Sequence, residues 1–296
     1  MTTTRRSPPT ERIVALLDHF VAHRGARYGL SELSRETGLS KPTCLGIVTT
    51  LVEAGYLTRD PHDKTYGLGP ALIAAGTIAR QSYAAADVAA RRLAPLAETY
   101  RATCTASAVV GRDVIVLAAL GPDGGPSSTA VGQRYPFVPP VGLMYVLWDG
   151  DDAVERWLAT PPTLPVRLDH EHLRTVVAEC RRRGYLVEGM TDTGRRLYSL
   201  MAGLTAYDLP AEVRDLVGEL ASTIGERVYL GTDLSARGKH PVSLLSAPTF
   251  DADGRQELVL TLGVDAAISG AEIGRRGRAL VAVADAVTAE AGGHRP

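Results

Sequence analysis

The sequence is poor in the residues that most chemistries require. Its 296 residues hold three cysteines, Cys44, Cys104 and Cys180, odd in number and far apart. No C-x-x-C pair occurs, which argues against a disulfide framework and against a thiolate zinc site. Seven histidines are scattered along the chain, and His170 and His172, two apart at a helix start, are too few for a metal site without a nearby partner. There is no glycine-rich phosphate loop of the P-loop or dinucleotide type, and Ser246 does not sit in a G-x-S-x-G elbow. No catalytic residues, metal or cofactor are therefore assigned, and an enzyme is the least favoured reading. No window holds ~18 uninterrupted apolar residues, the length a membrane helix needs. The start, MTTTRRSPPTERIV, lacks the apolar core of a signal peptide and reads as a disordered arm over residues 1–9. The expectation is a cytoplasmic protein without a membrane partner.

Charge of one sign is also missing. The net charge is -1, so the chain is not a broadly basic nucleic-acid binder. Its distribution is less even. Residues 1–80 carry ten Arg or Lys against seven Asp or Glu, and the remainder carries 22 against 26. The basic excess lies in the amino-terminal part, where a nucleic-acid contact would have to be sought. Lysine is scarce, three residues against 29 arginines. The length suits two ordinary domains, and an apolar fraction of 45% is ample for their cores.

What is present is concentrated in residues 31–68. Leu33, Thr37 and Leu39 give a short helix an apolar edge, and Gly38 ends it. Ser40 is placed to cap a second helix, with Pro42 tolerated in its first turn. Cys44, Ile47, Val48 and Leu51 then recur on one face. After Gly55, two short β segments, Tyr56-Leu57-Thr58 and Thr65-Tyr66-Gly67-Leu68, flank the turn-rich tip Arg59 to Lys64. Helix, tight turn, helix and hairpin make a winged helix-turn-helix, whose second helix enters the major groove. Pro42, Leu45, Gly46 and Thr49 lie opposite the buried face of that helix. Phosphate contacts are expected from Ser40, Lys41, Thr43 and Arg35, and wing contacts from Arg59, His62 and Lys64. Base reading usually uses Arg on guanine or Asn and Gln on adenine, and this face has none of them. Either Gly46 lets the backbone approach DNA closely, with Leu45 touching a thymine methyl, or the reader is weakened or retargeted.

Upstream, Thr10 is read as the cap of a helix from Glu11 to His23. Downstream, helices are expected over Ala71–Arg80 and Ala84–Arg101, with Pro95 interrupting the pattern of the second. Strands are expected over Thr103–Val110 and Asp113–Leu120 about the hairpin Gly111-Arg112, then over Ser127–Arg134. Tyr135–Trp148 opens as a proline-rich loop and closes as an apolar helix. A helix over Asp169–Arg183 ends at Gly184 and leads into a strand, Tyr185–Glu188. Residues 189–240 read as mostly helical. Pro241–Phe250 and Gln256–Val264 pair across a turn, and Ser269-Gly-Ala-Glu272 opens a last helix to about Ala291. Helices flanking an antiparallel sheet indicate an α+β fold.

The runs Leu33–Lys41, Leu51–Leu57 and Tyr66-Gly67-Leu68-Gly69 resemble the IclR family of bacterial transcription regulators. So do Val131–Pro136, Arg182–Tyr185 and Ala247–Gly254, which are similar to the family's V-G-x-R-x-P, R-x-G-Y and A-P-V-F-D-x-x-G. Members commonly carry Arg where Gly46 stands here. The resemblance implies a winged helix-turn-helix (10–70), a linker helix (71–84) and a GAF-like effector-binding domain (85–293). It also implies a double-stranded DNA operator gripped by a homo-oligomer, dimer or tetramer, with repression as the simpler sign. Its pocket, carried over by motif, would use Gly142 and Leu143 at a helix start, with Val242, Leu244, Thr261 and Gly263 on paired strands. Met144, Met190, Met201 and Tyr198 would add adaptable walls. Polar side chains are scarce in that set, which suits a small aromatic or organic acid held by backbone N–H groups. The alternative is a small-molecule sensor or interaction protein whose DNA reader has degraded.

Overall fold

The computed structural model describes residues 7–296 apart from 24, 82, 123–128, 130, 163–167, 190–224 and 226. The chain divides into two compact units, Met1–Tyr83 and Ala84–Pro296.

The first unit begins with α1 (Pro8–Ala22), three residues earlier than Thr10 as a cap would allow. Ser7 takes the cap position, and the hydroxyl of Thr10 donates to its Oγ at 3.0 Å. Pro8 and Pro9 cause the early start, since proline is preset for the first helical turn and has no N–H to leave unsatisfied there. Next come α2 (Leu30–Glu36) and α3 (Lys41–Glu53). Between them Gly38 takes a left-handed φ of +68°. Ser40 caps α3 as expected, accepting from the N–H of Thr43. The hairpin of β1 (Leu57–Arg59) and β2 (Tyr66–Leu68) pairs Leu57 with Leu68 and Arg59 with Tyr66. Leu16, Phe20, Leu33, Cys44, Val48 and Leu57 form one buried core, so all three helices and the hairpin share a single packing unit. The unit closes with α4 (Ala71–Gln81).

The second unit is an antiparallel six-stranded sheet with helices on both faces. Its strands are β3 (Cys104–Val110), β4 (Asp113–Leu120), β5 (Arg134–Pro136), β6 (Leu186–Glu188), β7 (Lys239–Phe250) and β8 (Gln256–Ser269). They lie in the order β5-β4-β3-β8-β7-β6. On one face α5 (Ala84–Tyr100) and the terminal helix α8 (Gly270–Glu290) bury Leu93, Ala97, Leu280 and Val287 against Leu245, Leu260 and Leu262. On the other, α6 (Asp151–Leu158) and α7 (His170–Arg183) bury Trp157, Leu173 and Val176 with Leu186 and Phe250. Alternation along each strand sends successive side chains to opposite cores.

Several expectations are corrected. The third strand does not run to Arg134: residues 127, 128 and 130 lie outside the described part, Val131-Gly132 form a turn, and β5 starts at Arg134. The apolar helix after Gly142 is a single 3-10 turn, Leu143–Tyr145. Pro139 and Pro140 remove the N–H groups that a helix entry would use, and Gly142 has a φ of +119°, outside helical space. The eight-residue α6 has no counterpart among the expected elements, since its short pattern directly follows a loop. Pro95 does not break α5. It lies on the exposed side, while buried Leu93, Leu96 and Ala97 hold the helix from the other. Most of the expected helical segment 189–240 lies outside the described residues, and its described end holds only a 3-10 turn, Gly231–Asp233, before β7. β8 runs to Ser269, five residues beyond its expected end.

Candidate functional site

The first candidate surface is α3 with the adjacent hairpin. Ser40 Oγ accepts from Thr43 N at 3.4 Å and shares a hydrogen bond with Thr43 Oγ1 at 2.8 Å, so both hydroxyls hold the helix start while staying at the surface. Lys41, Pro42, Leu45, Gly46 and Thr49 are exposed, and Leu45 remains 47% accessible. The opposite face of the helix carries buried Cys44 and Val48, so Leu45 is free to meet a partner. A Cβ built at Gly46 would meet no atom within 4 Å. The fold therefore does not require this glycine, which costs a helix about 1 kcal/mol relative to alanine. Gly46→Ala is expected to raise the unfolding free energy of the domain by about that amount in thermal melts, and an unchanged or lower melting point would contradict the open surroundings.

The wing is held by contacts that local sequence does not reveal. Arg27 donates to Thr65 Oγ1 and Thr65 O, each at 3.0 Å, across 38 residues. Asp60 closes the tip by accepting from the N–H of His62 at 2.8 Å. Asp63 accepts from the hydroxyl and N–H of Thr65, and these bonds hold its carboxyl below the usual range. Lys64 takes a left-handed φ of +61°, which turns its exposed side chain at the tip. Arg59 lies 5.9 Å over the ring of Tyr66. Arg35 pairs with its neighbour Glu36 at 3.0 Å, an exposed pair that DNA phosphate could readily exchange. Thus α3 and the wing place Ser40, Lys41, Thr43, Arg59, His62 and Lys64 in one compact unit. Arg27 is the supporting residue that the sequence reading missed.

The second candidate site is the sheet face turned to α6 and α7. Gly142 is buried, and a Cβ there would come within 2.6 Å of the Phe137 ring and 3.2 Å of the Trp157 indole nitrogen. Leu143 is buried and Met144 half-buried in the same turn. Leu244, Thr261 and Gly263 belong to this face, because Leu244 pairs with Gly263 and Leu260 and Leu262 point the opposite way. Val242 does not join them. A register shift between Val242 and Leu244 turns Val242 into the core under α5 and α8, as a β-bulge does. Met190, Met201 and Tyr198 lie outside the described residues.

The site is more polar than the motif set suggests. Cross-strand pairing aligns Ser246, Thr261 and Thr105 in one row across β7, β8 and β3. Ser246 is fully buried and its Oγ has no hydrogen-bond partner among the described residues. A buried hydroxyl left unpaired costs about 1–3 kcal/mol, so a ligand acceptor or donor here would be well rewarded. In the next row Glu188 pairs with Leu244. Burial of its carboxyl pushes it up to about 7, partly offset by the positive charge of Arg227. Tyr145 ties the 3-10 turn to the sheet through Ser107 at 2.6 Å, and burial raises its hydroxyl above the ordinary tyrosine range. None of Thr105, Ser107, Tyr145, Glu188 and Ser246 was singled out as a ligand contact from sequence. The available signal was strand alternation, which sets Ser246 on the same face as Leu244.

Residues 9–61 match the family model described as the IclR helix-turn-helix domain. The amino-terminal unit thus carries an IclR-type helix-turn-helix domain. The HTH-type transcriptional regulator XynR of Escherichia coli (strain K12) is 25% identical over 187 residues, 60% of this chain and 73% of that protein. Among solved structures, an IclR-type transcriptional regulator from Alicyclobacillus acidocaldarius superposes with a TM-score of 0.66 at 21% identity, covering 97% of this chain and all of that one. An IclR homologue from Microbacterium hydrocarbonoxydans, solved with 4-hydroxybenzoate, gives 0.61 at 17% identity, with 95% and 99% covered. At these identities the structural likeness is one of fold. Among the described residues no helix is long and apolar enough to cross a membrane, and no group of three or more His, Cys, Asp or Glu is placed to hold a metal.

Proposed function

We propose that this chain is an IclR-family regulator and a ligand-responsive repressor. It works in the cytoplasm as a homodimer or a pair of dimers, and a small organic acid bound in its carboxyl-terminal domain releases it from an operator. The observation that carries this reading is the surface of α3: a capped helix, buried on one face, that presents Lys41, Leu45, Gly46 and Thr49 beside a lysine-tipped wing. Two such readers on a two-fold axis suit two operator half-sites. Oligomerisation is supported by α4, which leaves Ile73 73% and Ile78 62% exposed. Sensing is supported by the Ser246 hydroxyl, unpartnered among the described residues, and the neighbouring Glu188 carboxyl on the face below Gly142. Only a ligand with different affinity for two arrangements of the dimer shifts their balance.

The test is binding of the full-length protein to its own upstream intergenic DNA, titrated against salt with random DNA as competitor. Binding tighter than to random DNA, weakened by one aromatic or aliphatic acid of a panel, is the expected result. Binding equal to that of random DNA would favour the second reading, a sensor with a degraded reader, for which the absence of Arg, Asn and Gln from the exposed face of α3 speaks. Lys41→Ala and Lys64→Ala are each expected to weaken binding to every sequence alike. Each should lower the slope of log K against log salt by about 0.9, the value of one phosphate contact. Unaltered slopes in both variants would remove these residues from the docking face.

A further inference from the structure

A cleft opens in the carboxyl-terminal domain, between α6, the 3-10 turn and the start of β8. Its volume is about 330 Å³, within the range of small-molecule sites. It shares Tyr145 with the effector site but none of Gly142, Leu143, Met144, Leu244, Thr261 and Gly263. Its apolar lining comes from Val109, Phe137, Val146, Ala153 and the ring of Trp157. Its charged lining has two signs. Arg156 stands exposed on α6 and has no ion pair among the described residues. Asp149 and Glu257 bring carboxylates.

We propose that this cleft binds a small zwitterion of the amino-acid type with an apolar or aromatic side chain. Its carboxylate would meet Arg156, its ammonium Asp149 and Glu257, and its side chain the apolar lining. The charge pattern selects this class against its neighbours. A plain carboxylate faces two acidic groups, a plain amine faces a guanidinium, and an uncharged apolar molecule leaves three ionic groups to be partly desolvated without partners. Burial and the charge of Asp251 push the Glu257 carboxyl up, an unfavourable placement that a ligand ammonium would offset. Trp157 Nε1 is buried without a hydrogen-bond partner among the described residues, whereas Gln256 is already committed. Gln256 donates through Nε2 to Met144 O at 2.7 Å and accepts from Trp148 N at 3.4 Å. Its own N–H donates to Asp149 Oδ1 at 2.6 Å, which leaves that carboxylate lone pairs to spare. The same three bonds clamp residues 144–149 to β8, so the cleft has a fixed wall. A ligand there touches Tyr145 and Val146, in the turn that begins at Gly142.

Calorimetric titration of the intact protein with L-phenylalanine, 3-phenylpropionate and phenethylamine tests the assignment. Saturable binding is expected for phenylalanine, at least about tenfold tighter than for either truncated analogue, as the loss of one charge-assisted contact implies. Arg156→Ala and Glu257→Gln, both surface-accessible and outside the buried cores, are each expected to weaken phenylalanine about tenfold. Ser246→Ala, in the other site, should leave its affinity unchanged. Absence of saturable heat with phenylalanine, equal binding of phenylpropionate, or indifference to both cleft variants would overturn the proposal. Loss of binding in Ser246→Ala would assign any observed site to the effector row instead. None of these readouts involves DNA, so the proposed function and this inference fail separately.

Discussion

Gly69→Ala is expected to destabilise the DNA-binding domain by about 3 kcal/mol, the upper range for forcing atoms into packed structure. In a domain of this size that lowers its melting temperature by roughly 10–20 °C. A Cβ at this position would lie 2.2 Å from the carbonyl oxygen of Gly55 and 2.9 Å from Leu57 N. Both obstacles are backbone, so no rotamer change relieves the clash. The neighbouring bonds cannot shift cheaply either. Gly69 N donates to Tyr56 O at 2.8 Å, and Ala71 N donates to Gly55 O at 3.1 Å. Together these bonds join the end of β2 to the turn after α3, and so hold the wing against the reading helix. The variant should therefore lose operator binding as well as stability, while the carboxyl-terminal domain keeps its own melting transition. A melting profile matching that of the unaltered protein would show that the approach of the two backbones is looser than described. Gly46→Ala is the internal control: the same change, in the same domain, with opposite sign.

That pair of glycines also shows how much sequence can disclose. The Tyr66-Gly67-Leu68-Gly69 run was legible as a pattern, and so were the reading helix, its Ser40 cap and the hairpin, because each rests on local rules of spacing and capping. The reason for Gly69 was not legible, since it lies in a contact with Gly55 that only the folded hairpin creates. Arg27 was hidden for the same cause: its partner Thr65 is 38 residues away. In the second domain the strands β3, β4, β7 and β8 could be read from turns and alternation. Which side chains share a face could not, because the register shift after Val242 inverts the count. A motif carried over residue by residue placed Val242 beside Leu244, and the bulge parts them. The polar row of Ser246, Thr261 and Thr105 arises only from strand pairing, and no periodicity in one strand announces it. The turn after Gly142 was overread as a helix because apolar composition alone cannot tell a helix from a packed loop.

Glu188→Gln should make the protein more stable at neutral pH and flatten its stability between about pH 4.5 and 7. In the folded protein the Glu188 carboxyl is pushed up to about 7, from an ordinary value of 4.5, chiefly by burial. The folded state thus holds a proton that the unfolded chain has already released. Stability must then fall as pH rises through this window, because the unfolded state binds fewer protons there. Below it both states are protonated and the group costs nothing. Above it the folded protein carries a half-buried charge, at an expense of at most about 3 kcal/mol by the usual conversion. Glutamine keeps the shape and cannot ionise, so the difference between the two proteins in denaturant titrations should vanish at pH 4 and be largest near pH 8. An equal difference at both ends would place the cause in packing rather than in the proton. The same group bears on sensing. Glu188 stands in the row beside Ser246, so an acidic effector bound there would meet it neutral below pH 7 and charged above. Binding of such an acid by the unaltered protein should weaken as pH rises past 7, and that decline should be absent in Glu188→Gln. Because stability is read by unfolding and affinity by titration, the two consequences of one carboxyl can be checked independently.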